Sequence, residues 1–369
     1  MKNIKRLTAL VLAMLVVFAL AGCHGKDEIA ATAGDTTFTS AFYMCALIDA
    51  DMEARSKVDE AKAEANKDTS SATSSTVEET DYYAEKIDGK TFAQWVKDAA
   101  INRLQKFAFL DAKVKEFEIK VDEEEVKNLE SYAEYYWVNY GYQALYEVNG
   151  VALSTYKKYM AYTAKENAYF DYIYGKGGTK EIAAADISKF LSENYVIADV
   201  LEGTTSNIQE DKDKNEYITK FKGYADRLKK GENFKKVYNE FNGIKEDTSS
   251  TASTTSDKDE LKAKDELAKV IGKEGTSYAN SNFDVVKAMK IGEIKEYTPR
   301  DSTNMYVFIK GDIMADPYYI SELDDTIRYD MKHEEFEKAF KEDYAKQQVE
   351  TIAYAIDRFK VEKIKYPEA

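Results

Sequence analysis

Imidazole and thiol chemistry are scarce in this chain of 369 residues, which holds 2 His and 2 Cys. His24 adjoins Cys23 near the N-terminus, while His333 and Cys45 stand far from both and from each other. That spacing builds neither a zinc site nor a Cys-His nucleophile pair. The glycine-rich phosphate signatures and the G-x-S-x-G elbow are missing from the sequence, and Gly175-Lys176-Gly177-Gly178 precedes no helix suited to phosphate. Paired carboxylates such as Asp324-Asp325 and Glu123-Glu124-Glu125 have the right type for glycosidic acid–base work. Among 67 acids, however, a solvated face accounts for them better. We therefore assign no catalytic residue, metal or cofactor.

Cys23 is different. It follows Leu20-Ala21-Gly22 at the end of a segment that opens with Lys2, Lys5 and Arg6 and then runs almost without polarity over 7–21. Such a run is too short for a comfortable bilayer span and is flanked like an export signal. Small residues before the thiol fit a narrow peptidase cleft, and the tetrapeptide resembles the bacterial lipobox, whose cysteine is alkylated with diacylglycerol. Residues 1–22 are thus expected to be a lipoprotein signal, and Cys23 the lipidation site on the extracytoplasmic face of a cell membrane. A diacylglyceryl group with an N-acyl chain supplies the two hydrophobic signals that stable anchoring needs. The body that remains is strongly acidic, since the whole chain already carries −15 and the signal removes three positive charges. That charge disfavours nucleic acid and adhesion to anionic lipid. With Cys23 acylated, Cys45 has no disulfide partner, so stability must come from a packed core.

Tyrosine is the next unusual feature, at 28 residues. Tyr132, Tyr135, Tyr136, Trp137, Tyr140, Tyr142 and Tyr146 crowd one stretch, and Tyr156, Tyr159, Tyr162, Tyr169, Tyr172 and Tyr174 the next. Tyrosine suits surfaces that are apolar on one side and wet on the other, and its few rotors lose little entropy on binding. Tyr135, Tyr136, Trp137, Tyr140, Tyr159 and Tyr162 are therefore candidates for a groove that holds extended polypeptide, with an acidic rim favouring basic clients. The alternative is that these are core and boundary positions.

The elements that must carry these residues show in the hydrophobic period. Apolar residues recur at three- and four-residue steps over 92–117, predicting a long amphipathic helix. Asp122, followed by three acids, caps a second helix to about Tyr140. A third helix is predicted over 154–174, capped by Ser154 or Thr155, and a last pair over 320–331 and 334–358 before a short strand at 361–364. Between them the pattern changes: strands at 195–201 and 305–310, with helices at 214–230, 234–241 and 283–290. The Ser/Thr-rich segments 66–80 and 246–258 can bury nothing and read as solvated insertions. Gly175-Lys176-Gly177-Gly178 reads as a hinge.

This order of signals resembles the extracytoplasmic foldases of the PrsA and SurA kind, in which a helical chaperone domain flanks a parvulin-type peptidyl-prolyl isomerase domain. Residues 29–42 (IAATAGDTTFTSAF) look like that family's opening strand, turn and first helix. The passage 104–126 resembles its helix, extended link and second helix, and 185–194 (ADISKFLSEN) the helix leading into the first parvulin strand. Residues 225–241 (ADRLKKGENFKKVYNEF) and 283–296, with Lys290-Ile291-Gly292-Glu293-Ile294, followed by 306–310, complete the order. The resemblance implies an α+β fold: a helical chaperone domain over 23–180, completed by helices at 317–369, with a parvulin-like domain inserted at 185–316.

An active parvulin carries a His on its first strand and another on its last. Here the corresponding positions offer Asp199, or Val200 one register on, and Val307. The function implied is a membrane-anchored chaperone for unfolded or nascent exported polypeptides, with isomerase activity lost or residual. An active isomerase is one alternative, and a solute-binding or structural surface lipoprotein the other.

Overall fold

The computed structural model describes residues 28–67, 80–245, 267–273 and 281–367. Cys23 and the rest of the signal segment, most of the 66–80 insertion and all of 246–258 lie outside them. The fold class is α+β, helices with small antiparallel sheets. The chain divides into two compact units. One takes the chain up to Ile173, with Gly177–Thr179 and everything from Glu334 onward; the other takes Tyr174–Lys176 and Lys180–His333.

The first unit opens with a hairpin, β1 (Ile29–Ala33) and β2 (Thr36–Thr39), rather than a lone strand and turn. Thr39 then caps α1 (Ser40–Lys67), its Oγ1 accepting the Phe42 N–H at 3.2 Å. Residues 41–48 of α1 are buried all round, so this half is a central core helix. Past Arg55 it becomes mostly charged and exposed. The two-residue turn Asp88-Gly89, both with positive φ, closes β3 (Lys86–Ile87) on β4 (Lys90–Thr91). Thr91 caps α2 (Phe92–Glu116), which buries Phe92, Val96, Ala100, Leu104, Phe107 and Leu110. Asp122 caps α3 (Glu123–Asn139), accepting the Glu124 N–H at 2.8 Å.

Two features here depart from the sequence pattern. A short helix, α4 (Tyr142–Val148), stands where none was read. The helix expected over 154–174 is two helices, α5 (Leu153–Met160) and α6 (Tyr162–Tyr174), broken at Ala161. Because tyrosines recur every three or four residues through the break, the period hides it. No hydroxyl caps α5; the Ala152 carbonyl instead accepts the Thr155 N–H at 2.9 Å.

In the second unit α7 (Ala184–Asn194) leads into β5 (Tyr195–Thr204), followed by α8 (Asp211–Lys229), α9 (Phe234–Phe241), β6 (Ala268–Gly272), α10 (Ser281–Lys287), β7 (Ile294–Tyr297) and β8 (Asn304–Lys310). The four strands form one antiparallel sheet in the order β6-β5-β8-β7. One face packs Val196, Ala198 and Val200 with Phe283, Val286 and Phe308; the other packs Leu201 and Val307 with Phe221, Leu228 and Val237. A sheet covered on both faces explains why β5 reads as a continuous apolar run. Gly203 is required on β5, because a Cβ there would lie 2.8 Å from the Phe221 ring.

The C-terminal elements also differ from the pattern. α11 (Pro317–Glu322) starts at Pro317 with Asp316 as its cap, and α12 (Asp324–Tyr344) runs unbroken through 332–333, where a gap between helices was expected. Acids in its first turn favour the start at Asp324. β9 (Glu350–Thr351) then pairs antiparallel with β1, α13 (Ala353–Ile356) follows, and residues 361–363 form a 3-10 turn rather than a strand. Among the described residues, no helix is long and apolar enough to cross a membrane.

Candidate functional site

Residues 132 and 136 of α3 and Tyr140, the residue that caps its C-terminus, follow each other at four-residue steps with 135 beside them, so α3 and its cap carry four tyrosines together. The adjoining face of the helix buries Ala133 and Trp137. Tyr132, Tyr135 and Tyr140 are 59%, 53% and 59% exposed, which is high for rings of this size. Tyr136 is half-buried. Ring centroids lie 6.0 Å apart for Tyr135–Tyr136, 5.7 Å for Tyr135–Tyr140 and 5.3 Å for Tyr136–Tyr140. Gly141, at φ +75°, ends α3 in the left-handed conformation that a side chain would resist. The reversal sets Tyr142 against Tyr136, stacked at 5.8 Å.

Beneath this face the aromatics continue inward. Trp137 lies 6.0 Å from Tyr146 and 5.9 Å from Tyr156, and Tyr146 lies 4.7 Å from Tyr156. The Tyr146 hydroxyl donates to Asp49 at 2.8 Å. Burial raises the Asp49 carboxyl above its ordinary value, opposed by hydrogen bonds from Tyr159 and Tyr146 and by the charge of Arg103. Cys45, one helical turn before Asp49, is a buried free thiol that burial pushes well up. It is a core residue with no reactive character.

The six tyrosine-tract candidates therefore fall into two groups. Tyr135, Tyr136 and Tyr140 come together at the surface. Trp137 and Tyr159 are buried, and Tyr162 packs against Phe107 at 4.3 Å while its hydroxyl donates to Asp111 at 2.9 Å. Trp137 and Tyr159 are part of the core, and the half-buried Tyr162 packs against it. Tyr132 belongs with the exposed set, and its place in the four-residue step was the signal for it. Asp49 was legible only as a lone acid in the apolar run before it.

Charge around the face is one-sided. No Lys or Arg occurs between Lys127 and Lys157, whereas Glu130, Glu134 and Glu147 do. Glu134 is held by Lys157.

In the second unit Asp199, Val200 and Val307, the positions compared above with parvulin histidines, are placed by strand alternation and register. Strand alternation puts Asp199 on the side of Leu201 and Val200 on the other. Val307, opposite Leu201 in the ladder, is wholly buried beneath α8 and α9. Asp199 lines a cavity of about 240 Å³ together with Ile197, Ile309, Asp312, Asp316 and Tyr319. Among the described residues no cluster of His, Cys, Asp or Glu has the makings of a metal site.

No known protein-family profile matches the chain, and no curated protein does. Solved structures do match, among them the 3.10 Å crystal structure of the foldase protein PrsA from Lactococcus lactis. The two chains are 16% identical, with 89% of this chain and 96% of that one covered and a TM-score of 0.39. At that TM-score the likeness carries no weight, and the site is read from this chain's own residues.

Proposed function

We propose that this protein is a lipid-anchored chaperone on the outer face of a cell membrane that holds unfolded or nascent exported polypeptides. The observation that carries the proposal is the exposed tyrosine stripe of α3. Large rings left in water on a rigid helix are the surface a promiscuous holder of apolar and aromatic segments needs, because their area is available at little entropic cost. The inserted unit is read as a degenerate parvulin-like domain: Val307, buried in the core, stands where the resemblance expects the second imidazole, so isomerase activity is lost or residual. In the test, an unfolded client is diluted into buffer with stoichiometric protein and its aggregation followed by light scattering. Suppression is expected from the natural chain and its loss from a Tyr132→Ser, Tyr135→Ser, Tyr140→Ser variant; equal suppression by both would overturn the proposal.

The cavity beside Asp199 favours one second reading, an isomerase that works without the usual imidazoles. Accelerating rotation about an X-Pro bond means lowering a barrier of about 18–20 kcal/mol. Turnover of a prolyl peptide by the natural chain that falls sharply in Asp199→Asn would establish this second reading; no turnover by either would dismiss it.

A further inference from the structure

We propose that the tyrosine face of α3 and α4 takes cationic segments of its polypeptide clients, extended stretches bearing Arg or Lys, held by contact between the cation and the ring faces. This rests on the reading that the face holds clients, and names what those clients must carry.

Three observations point the same way. The first is ring geometry. Tyr135, Tyr136 and Tyr140 are mutually inclined at 65°, 63° and 57° rather than stacked, so the exposed Tyr135 and Tyr140 keep ring face open to solvent, while Tyr136 stacks on Tyr142. A cation within about 6 Å of one centroid is attracted by the ring quadrupole, and centroids this close let it reach a second ring at once.

The second is what the chain does with its other tyrosines. The Arg55 guanidinium lies 4.5 Å from the Tyr82 centroid and 4.6 Å from that of Tyr366, and the Lys165 ammonium lies 4.2 Å from that of Tyr162. Tyrosines of this protein thus repeatedly accept cations from within. Among the described residues, no Lys or Arg lies over Tyr132, Tyr135, Tyr136 or Tyr140, so the exposed set is left to a cation from outside.

Charge is the third. Between Lys127 and Lys157 the sequence holds Glu130, Glu134 and Glu147 and no base; Lys157 pairs with Glu134, which leaves Glu130 and Glu147, on a chain of net −15. An acidic segment or a nucleic acid would be repelled, while an Arg-bearing one would be drawn in and then desolvated against the rings.

The experiment compares short fluorescent peptides of equal length in which Gly and Ser alternate with Arg, Leu or Glu. Binding to the full mature chain is read by fluorescence anisotropy. The Arg peptide is expected to bind about tenfold more tightly than the Leu peptide, with the Glu peptide weakest. Tyr135→Leu with Tyr140→Leu keeps apolar area but removes the π-faces, and should cost the Arg peptide about fivefold. Tyr135→Phe with Tyr140→Phe should retain its affinity. Equal affinity for Arg and Leu peptides, or full retention in the Leu variant, would overturn the inference. So would self-association of the chain that needs these tyrosines, since the face would then belong to a second copy. Aggregation suppression that depends on the tyrosines yet ignores client charge sinks this inference alone and leaves the holding function standing.

Discussion

Asp49 is an acid set among core residues, and its environment sets a measurable pH dependence. Tyr142 and Tyr146 from α4, Tyr156 and Tyr159 from α5, Arg103 from α2, and Glu53 and Cys45 from α1 are the titratable groups that face it. The folded state raises its pKa, mainly by burial, above the ordinary value near 3.8 that it takes when unfolded. As pH climbs between those two values, the unfolded chain loses its proton first, so Asp49 makes the protein less stable with rising pH. Asp49→Asn keeps an acceptor for the tyrosine hydroxyls and removes this effect. The melting temperature of Asp49→Asn relative to the natural chain should therefore rise as pH climbs above the ordinary Asp value near 3.8. A difference that stays constant over that climb would show that the tyrosine and arginine partners already balance the burial.

At the scale of elements, the end of the chain is part of the first unit's core. Phe336 and Phe340 stack at 5.0 Å, and Phe340 lies 5.6 Å from Phe109 and 6.0 Å from Tyr169. β9 adds a strand beside β1; Ala355, Val361 and Ile364 enter the same core as α1 and α2; and Arg358 bonds the Ser40 hydroxyl at 3.0 Å. Losing a buried Phe side chain costs about 3–5 kcal/mol, against a total stability of about 5–15 kcal/mol for a typical domain. Ending the chain before Glu334 should therefore abolish the cooperative melt of the N-terminal helices rather than shift it. Circular dichroism of the truncated chain measures this, and an unchanged transition would mean that the segment only decorates the surface.

For the whole molecule, net charge and anchoring are linked. A chain at −15, more acidic still once the three cations of the signal are removed, is repelled by anionic lipid, so the proposed attachment at Cys23 must supply the membrane affinity. Cys23→Ala should leave the exported protein unlipidated and in the soluble fraction or unprocessed. Labelled fatty acid still incorporated by Cys23→Ala would remove the proposed anchor site. Under the proposed function, a tether at Cys23 would place the tyrosine face at a high local concentration of emerging chains, where weak contacts give transient holding.

Local signals were enough wherever one segment determines its own state. The period and the Asp122 cap placed α2 and α3 within a residue or two, and β-branched runs placed β5 and β8, because helix period, capping and strand alternation act within a few residues of chain. β6 and β7 escaped because a short edge strand is stabilised by its partner's backbone rather than by its own residues, and the break at Ala161 escaped because tyrosines keep the helical step across it. Tertiary packing alone decided which aromatics reach solvent: adjacent Tyr136 and Trp137 are indistinguishable by type, and only the neighbours Tyr146 and Tyr156 bury the second. It also decided the faces of the inserted sheet. A one-residue step along β5 moves a side chain from the cavity beside Asp199 to the core around Val200, and only strand register and the helices covering each face settle which side is which.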